Sequence, residues 1–175
     1  MTMTSLPQRA LEAIEGSTAA ERIARVQEAV YRPLIDIARR SPLHSRVLGH
    51  SLHPPLTDVV TGCWLSTSVL DLAGGAGSRR AAMLIAGVGV VAAVPTALAG
   101  AADWAETEGG DRRIGAVHAA GVDAAILLLT CSLVARARGA HGLGVGLALL
   151  GNAVVSGAGF LGGHLALQRG TAGRG

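Results

Sequence analysis

LGHSLHPPLTDVVTGCWLSTSVLDL, residues Leu48 to Leu72, decides how the chain is read. His50 and His53 stand at its entrance, Pro54 and Pro55 follow, and after Asp58 no charge appears until Asp71. The stretch reads as a membrane-spanning helix with a polar mouth, and three more apolar stretches follow it. Their approximate limits are Leu56–Ala73, Ala81–Ala102, Ile114–Ala135 and Gly142–Leu167. About 20 apolar residues are needed to cross the hydrocarbon of a bilayer. The links GGAGSRR, EGGDRR and RARGAH are short, so neighbouring spans must run antiparallel.

Composition agrees with a lipid setting. Of 175 residues, 50% are hydrophobic and 15% charged, against roughly a quarter charged in soluble domains. The 25 glycines let helix backbones approach closely, as association in lipid requires. All 15 basic residues are arginine, and they flank apolar runs without forming a stripe with aromatics. That pattern points to a membrane surface and away from nucleic acid. Cys63 and Cys131 lie inside apolar runs with no metal-site spacing, so they read as small buried residues. No nucleophile pattern and no phosphate loop suggests an enzyme acting by itself.

The reading predicts an all-α integral membrane protein, an antiparallel four-helix bundle. Residues 1–46 form an amphipathic helical extension, 47–170 the four-span domain and 171–175 a short tail. In the extension, Thr18 and Glu21 fit a capping box. Ile23, Val26, Val30, Leu34 and Ile37 recur at spacings of three and four, and Pro33 should kink or split that helix. The helix lies on an anionic cytoplasmic surface or docks on its own bundle. The start has no apolar core of a signal peptide. Seven arginines fall near span ends on the N-terminal side (39, 40, 46, 112, 113, 169, 174) and four on the other (79, 80, 136, 138). The excess places both termini of a multi-pass inner-membrane protein in the cytoplasm. No internal repeat stands out.

Antiparallel threading brings His50, His53, His118 and His164 to one membrane face. Polar side chains at membrane depth need a partner or a cavity. Taken singly, each histidine reads as an interfacial residue satisfied by water or carbonyls; taken together they suggest a shared site. A compact metal centre needs three or four converging ligands, whereas haem needs two imidazoles and room for a flat ring. Gly115 before His118, and Gly162 and Gly163 before His164, suggest such room. A b-type haem with His118 and His164 as axial pair is therefore preferred, and His50 and His53 serve as alternative ligands or contacts. The residue before a proline is pushed from helical geometry, so His53 should lie on a turn. Asp58, Asp103 and Asp123 could orient imidazole N–H groups. Asp71 reads as interfacial.

The motifs Gly49-His50-x-Leu52-His53-Pro54, Ala99–Trp104, Arg112–Ala120 and Leu161–Leu165 resemble the bacterial membrane family called domain of unknown function 2231. The similarity covers roughly residues 47–170, with Val60 where that family carries proline. It implies four spans and, because some members are fused to Rieske-type iron–sulfur domains, a role near electron transfer. No C-H…C-H cluster motif occurs in this chain. The expectation is a haem-binding electron-transfer subunit in lipid, working with a Rieske-type iron–sulfur partner, with a homo-oligomer also open. The alternatives are a structural subunit without cofactor and a proton or metal-ion carrier.

Overall fold

The first two helices start on local capping chemistry in the computed structural model, which describes residues 5–41 and 51–171. Helix α1, Leu6–Glu15, begins at Ser5, whose backbone N–H donates to Gln8 Oε1 at 2.9 Å. Helix α2 runs Thr18–Arg39. Its cap is Ser17, one residue before the expected Thr18, and the Ser17 hydroxyl accepts the Ala20 N–H at 3.2 Å. Pro33 lies inside α2 without dividing it.

Helix α3 spans His53–Ala73. His53 is its first helical residue, not a turn residue, because prolines in a first turn remove only N–H groups that have no helical acceptor. A 3₁₀ turn at Ala76–Ser78 leads into α4, Arg79–Trp104. Helix α5 covers Gly109–Ala137, and α6 covers His141–Gly163 and ends in a π-helical turn, His164–Gln168.

The described residues are all-helical apart from short connections. Three segments among them are long and apolar enough to cross a membrane: Ala76–Trp104, Gly109–Ala137 and His141–Gln168, with mean hydropathy 2.1, 1.9 and 1.6. Helix α3 is not one of the three, where four spans were expected. Thr57, Asp58, Thr61, Ser66, Thr67, Ser68 and Asp71 dilute its apolar content.

Small residues set the packing. Val60, Trp64, Ala93, Ala125, Leu129 and Ala148 form the central core, and a second cluster joins Leu11 of α1 to Ile114, Leu161 and Leu165. Helices α3 and α5 each pack against both α4 and α6.

The contacts of α3 with α4 recur between α5 and α6, although the sequence suggested no repeat. Moving 65 positions along the chain takes His53, Trp64, Thr67 and Asp71 of α3 to His118, Leu129, Ser132 and Arg136 of α5. Moving 62 positions takes Ala82, Gly89, Thr96 and Gly100 of α4 to Gly144, Gly151, Ala158 and Gly162 of α6. Trp64 packs on Gly89 as Leu129 packs on Gly151. The Thr67 hydroxyl donates to the Ala82 carbonyl at 3.5 Å, as the Ser132 hydroxyl does to Gly144 at 2.5 Å. The two helical pairs are thus one packing design used twice.

The ends of the repeated helices meet in a buried ion pair. Arg136 donates to both Asp71 oxygens, at 2.8 and 2.5 Å, with side chains 2% and 0% exposed. Asp71 is therefore a core residue, not an interfacial one. It occupies the position in α3 that Arg136 occupies in α5.

Candidate functional site

The repeat brings His53 and His118 together. His53 is held at the start of α3, where its backbone N–H donates to the Ser51 hydroxyl at 3.0 Å and that hydroxyl donates to Asp103. The His53 Nδ1 lies 2.9 Å from the Thr96 carbonyl of α4. The His118 Nδ1 lies 2.7 Å from the Ala158 carbonyl of α6. A carbonyl only accepts, so each Nδ1 carries a proton, and in the neutral ring Nε2 keeps the lone pair. The two rings stand 6.3 Å apart, centre to centre, and 85° to one another.

Each imidazole is seated on a glycine. A Cβ on Gly100 would lie 2.7 Å from the His53 ring, and one on Gly162 would lie 2.8 Å from the His118 ring. No L side chain fits at either position without displacing a histidine. Thr96 and Gly100 are one helical turn apart, as are Ala158 and Gly162, so one face of each partner helix supplies both the carbonyl and the space.

Both rings border a cavity of about 700 Å³. Its wall is mostly apolar, with Val90, Val94, Leu98, Val122 and Ile126 among its residues. Asp58, Asp103 and Asp123 also reach it. Asp58 and Asp123 are again equivalent across the repeat. Tyr31 of α2 closes one side and donates its hydroxyl to Asp123. Burial, then the hydrogen bond and the charge of Asp123, push the Tyr31 hydroxyl's pKa upward from its ordinary value.

The other histidines lie elsewhere. His164 begins the π-helical turn and accepts a hydrogen bond from Arg169 Nε at 3.3 Å. Arg169 in turn meets Glu15 at 2.5 Å and Asp111 at 3.6 Å. His164 thus belongs to a network at the bundle end and is not part of the cavity wall. His50 falls outside the described residues.

Gly115 makes room for a ring, but the ring is Trp104, 2.5 Å from where a Gly115 Cβ would stand. The Trp104 indole donates to the Arg112 carbonyl at 2.9 Å and lies under the Arg112 guanidinium at 4.9 Å. Gly163 lines the cavity with open space around it.

Sequence reasoning missed Thr96, Gly100 and Tyr31; it did expect Gly162 to leave room for a ring, and the ring seated there is that of His118. The signal available for the glycines was their common place relative to the two histidines, visible only once each half is aligned on its own offset.

Among the described residues, no group of three or more His, Cys, Asp or Glu side chains converges as a metal site. Residues 49–173 match a family model described as a predicted membrane protein (DUF2231). No curated protein and no solved structure matches the chain.

Proposed function

The chain belongs to this family of predicted membrane proteins, DUF2231, and from that premise we propose that it is a four-crossing bundle that holds one b-type haem between His53 and His118. Bound there, haem supplies one-electron transfer near one membrane face. Helices α3 to α6 run alternately up and down, and α1 and α2 lie on the cytoplasmic side of a bacterial inner membrane.

The observation that carries the reading is the spacing of the two imidazoles. With ring centres 6.3 Å apart, His53 and His118 would both come within reach of one iron, at metal–nitrogen bonds of ~2.0 Å. The Nδ1 hydrogen bonds orient both rings with Nε2 left for a metal, as second-shell carbonyls commonly do. An apolar cavity of about 700 Å³ suits a flat macrocycle.

Helix α3 is argued as the fourth crossing from where its polar groups go. The Thr57 and Thr67 hydroxyls bond carbonyls of α3 itself at 2.9 Å, Ser68 accepts from Asn152 at 2.6 Å, and Asp71 is paired with Arg136. With these groups satisfied within the bundle, α3 is compatible with lipid despite its modest hydropathy. The orientation rests on the arginine excess, which widens once Arg136 is removed from the far-side count because it is buried.

The same two histidine–carbonyl bonds favour one other reading, a scaffold without cofactor in which each imidazole staples a helical pair. An absorption spectrum of protein purified from haem-supplied cells separates the two. The haem reading predicts a Soret band that sharpens and shifts on reduction. A colourless protein of normal stability would refute it and leave the scaffold.

A further inference from the structure

Most of the apolar stripe of α2 is turned away from the bundle, although Leu34 also borders the cavity. Ile23, Val26, Val30, Leu34 and Ile37 are all exposed, Val26 by 63% and Val30 by 62%. The residues that α2 buries are Ala20, Ala24, Gln27, Ile35 and Ala38, with Tyr31 beside them reaching Asp123. On a wheel of ~100° per residue the bundle-facing set and the apolar stripe are centred roughly 100° apart. A third face carries Arg22, Arg25, Arg32 and Asp36, roughly 125° beyond the stripe. The helix therefore has three faces, one protein-facing, one apolar and one charged.

That arrangement suits one location. A helix lying flat at the edge of a membrane beside its own bundle meets protein on one side, acyl chains below and headgroups above. We propose that α2 is embedded in the headgroup region of an anionic phospholipid leaflet, its valine and leucine stripe in the acyl boundary and its arginines on lipid phosphates.

The level of its docking agrees. Helix α2 pairs Glu21 with Arg113 at 3.4 Å and Glu28 with Arg112 at 2.6 Å, and Ile35 packs with Trp104 and Ala116. These partners lie at the end of α4 and the start of α5. Helix α5 has 29 residues, ~43 Å at 1.5 Å per residue, against ~30 Å of hydrocarbon. The surplus of about two turns falls at the end that carries Asp111, Arg112 and Arg113, where a headgroup layer accommodates charge. An apolar stripe flanked by arginine is also the composition that partitions to anionic interfaces.

Spin labels on the full chain test this. With Cys63 and Cys131 replaced by Ala, single Val30→Cys and Arg25→Cys variants are labelled and placed in nanodiscs. The discs are phosphatidylcholine alone or phosphatidylcholine with phosphatidylglycerol. The expected result is a ratio of oxygen to water-soluble chelate collisions severalfold higher at Val30 than at Arg25. That ratio should rise with phosphatidylglycerol. Equal ratios at the two sites, indifference to phosphatidylglycerol, or dipolar broadening between Val30 labels of two chains would each overturn it. Should the cysteine-free chain fail to fold, Val30→Trp in the natural chain gives the same reading. Brominated lipid should then quench a new, lipid-facing indole, and the absence of added quenching refutes the proposal.

Discussion

Glycines decide where the two histidines can sit. Gly100→Ala or Gly162→Ala forces a methyl group into an imidazole, and overpacking of this kind costs about 1–3 kcal/mol. Gly163→Ala meets open space and should be neutral or slightly stabilising, since alanine is the better helix former. Unfolding of the three variants in detergent, followed by circular dichroism, checks the contrast. The Asp71–Arg136 pair allows a sharper test. Removing either partner leaves a buried charge and should cost about 3–5 kcal/mol. Because the two positions are equivalent in the repeat, the exchange Asp71→Arg with Arg136→Asp should recover most of that loss. If the double exchange is no more stable than the single variants, the equivalence is wrong. None of this was legible in the chain. An aspartate near one span end and an arginine near another read as separate surface charges until the fold joins them.

At the level of elements, the sequence supports the helices well and their facing poorly. The spacing of Ile23, Val26, Val30, Leu34 and Ile37 correctly implies an amphipathic α2. It does not tell which side the bundle uses, and the bundle takes the quieter face of Ala20, Ala24 and Ala38. Small residues allow close approach without announcing themselves by hydrophobicity. Helix α2 should respond to alkali through Tyr31. Its hydroxyl's pKa is raised above the ordinary 10.0, so the folded chain holds that proton more tightly than the unfolded chain. The resulting stability is complete below about pH 10 and is lost as pH climbs through the folded-state value. Limited proteolysis within α2 should therefore quicken in strong alkali. Tyr31→Phe should abolish that dependence and weaken docking by about 1 kcal/mol at neutral pH. An unchanged alkaline profile in Tyr31→Phe would show that another group governs α2.

For the whole molecule, a composition of half apolar residues made the membrane class and the helical fold readable, whereas of the four histidines expected at one mouth only His53 and His118 come together among the described residues. The repeat escaped notice for a physical reason. The link from α3 to α4 is two residues longer than that from α5 to α6, and the helices pack with different residues at matching sites, Trp64 for Leu129 and Asp71 for Arg136. No single period aligns both helices, and shape, not identity, is what repeats. Once the repeat is seen, His53 and His118 become counterparts, and His164 becomes part of an ion network at the bundle end. The most direct test is the haem content per chain of wild type, His53→Ala, His118→Ala and His164→Ala, purified from haem-supplied cells and measured as the pyridine complex. The account predicts one haem per chain in wild type and His164→Ala, and none in the other two. Haem absent from the wild type, or lost in His164→Ala and retained in His53→Ala, would contradict it.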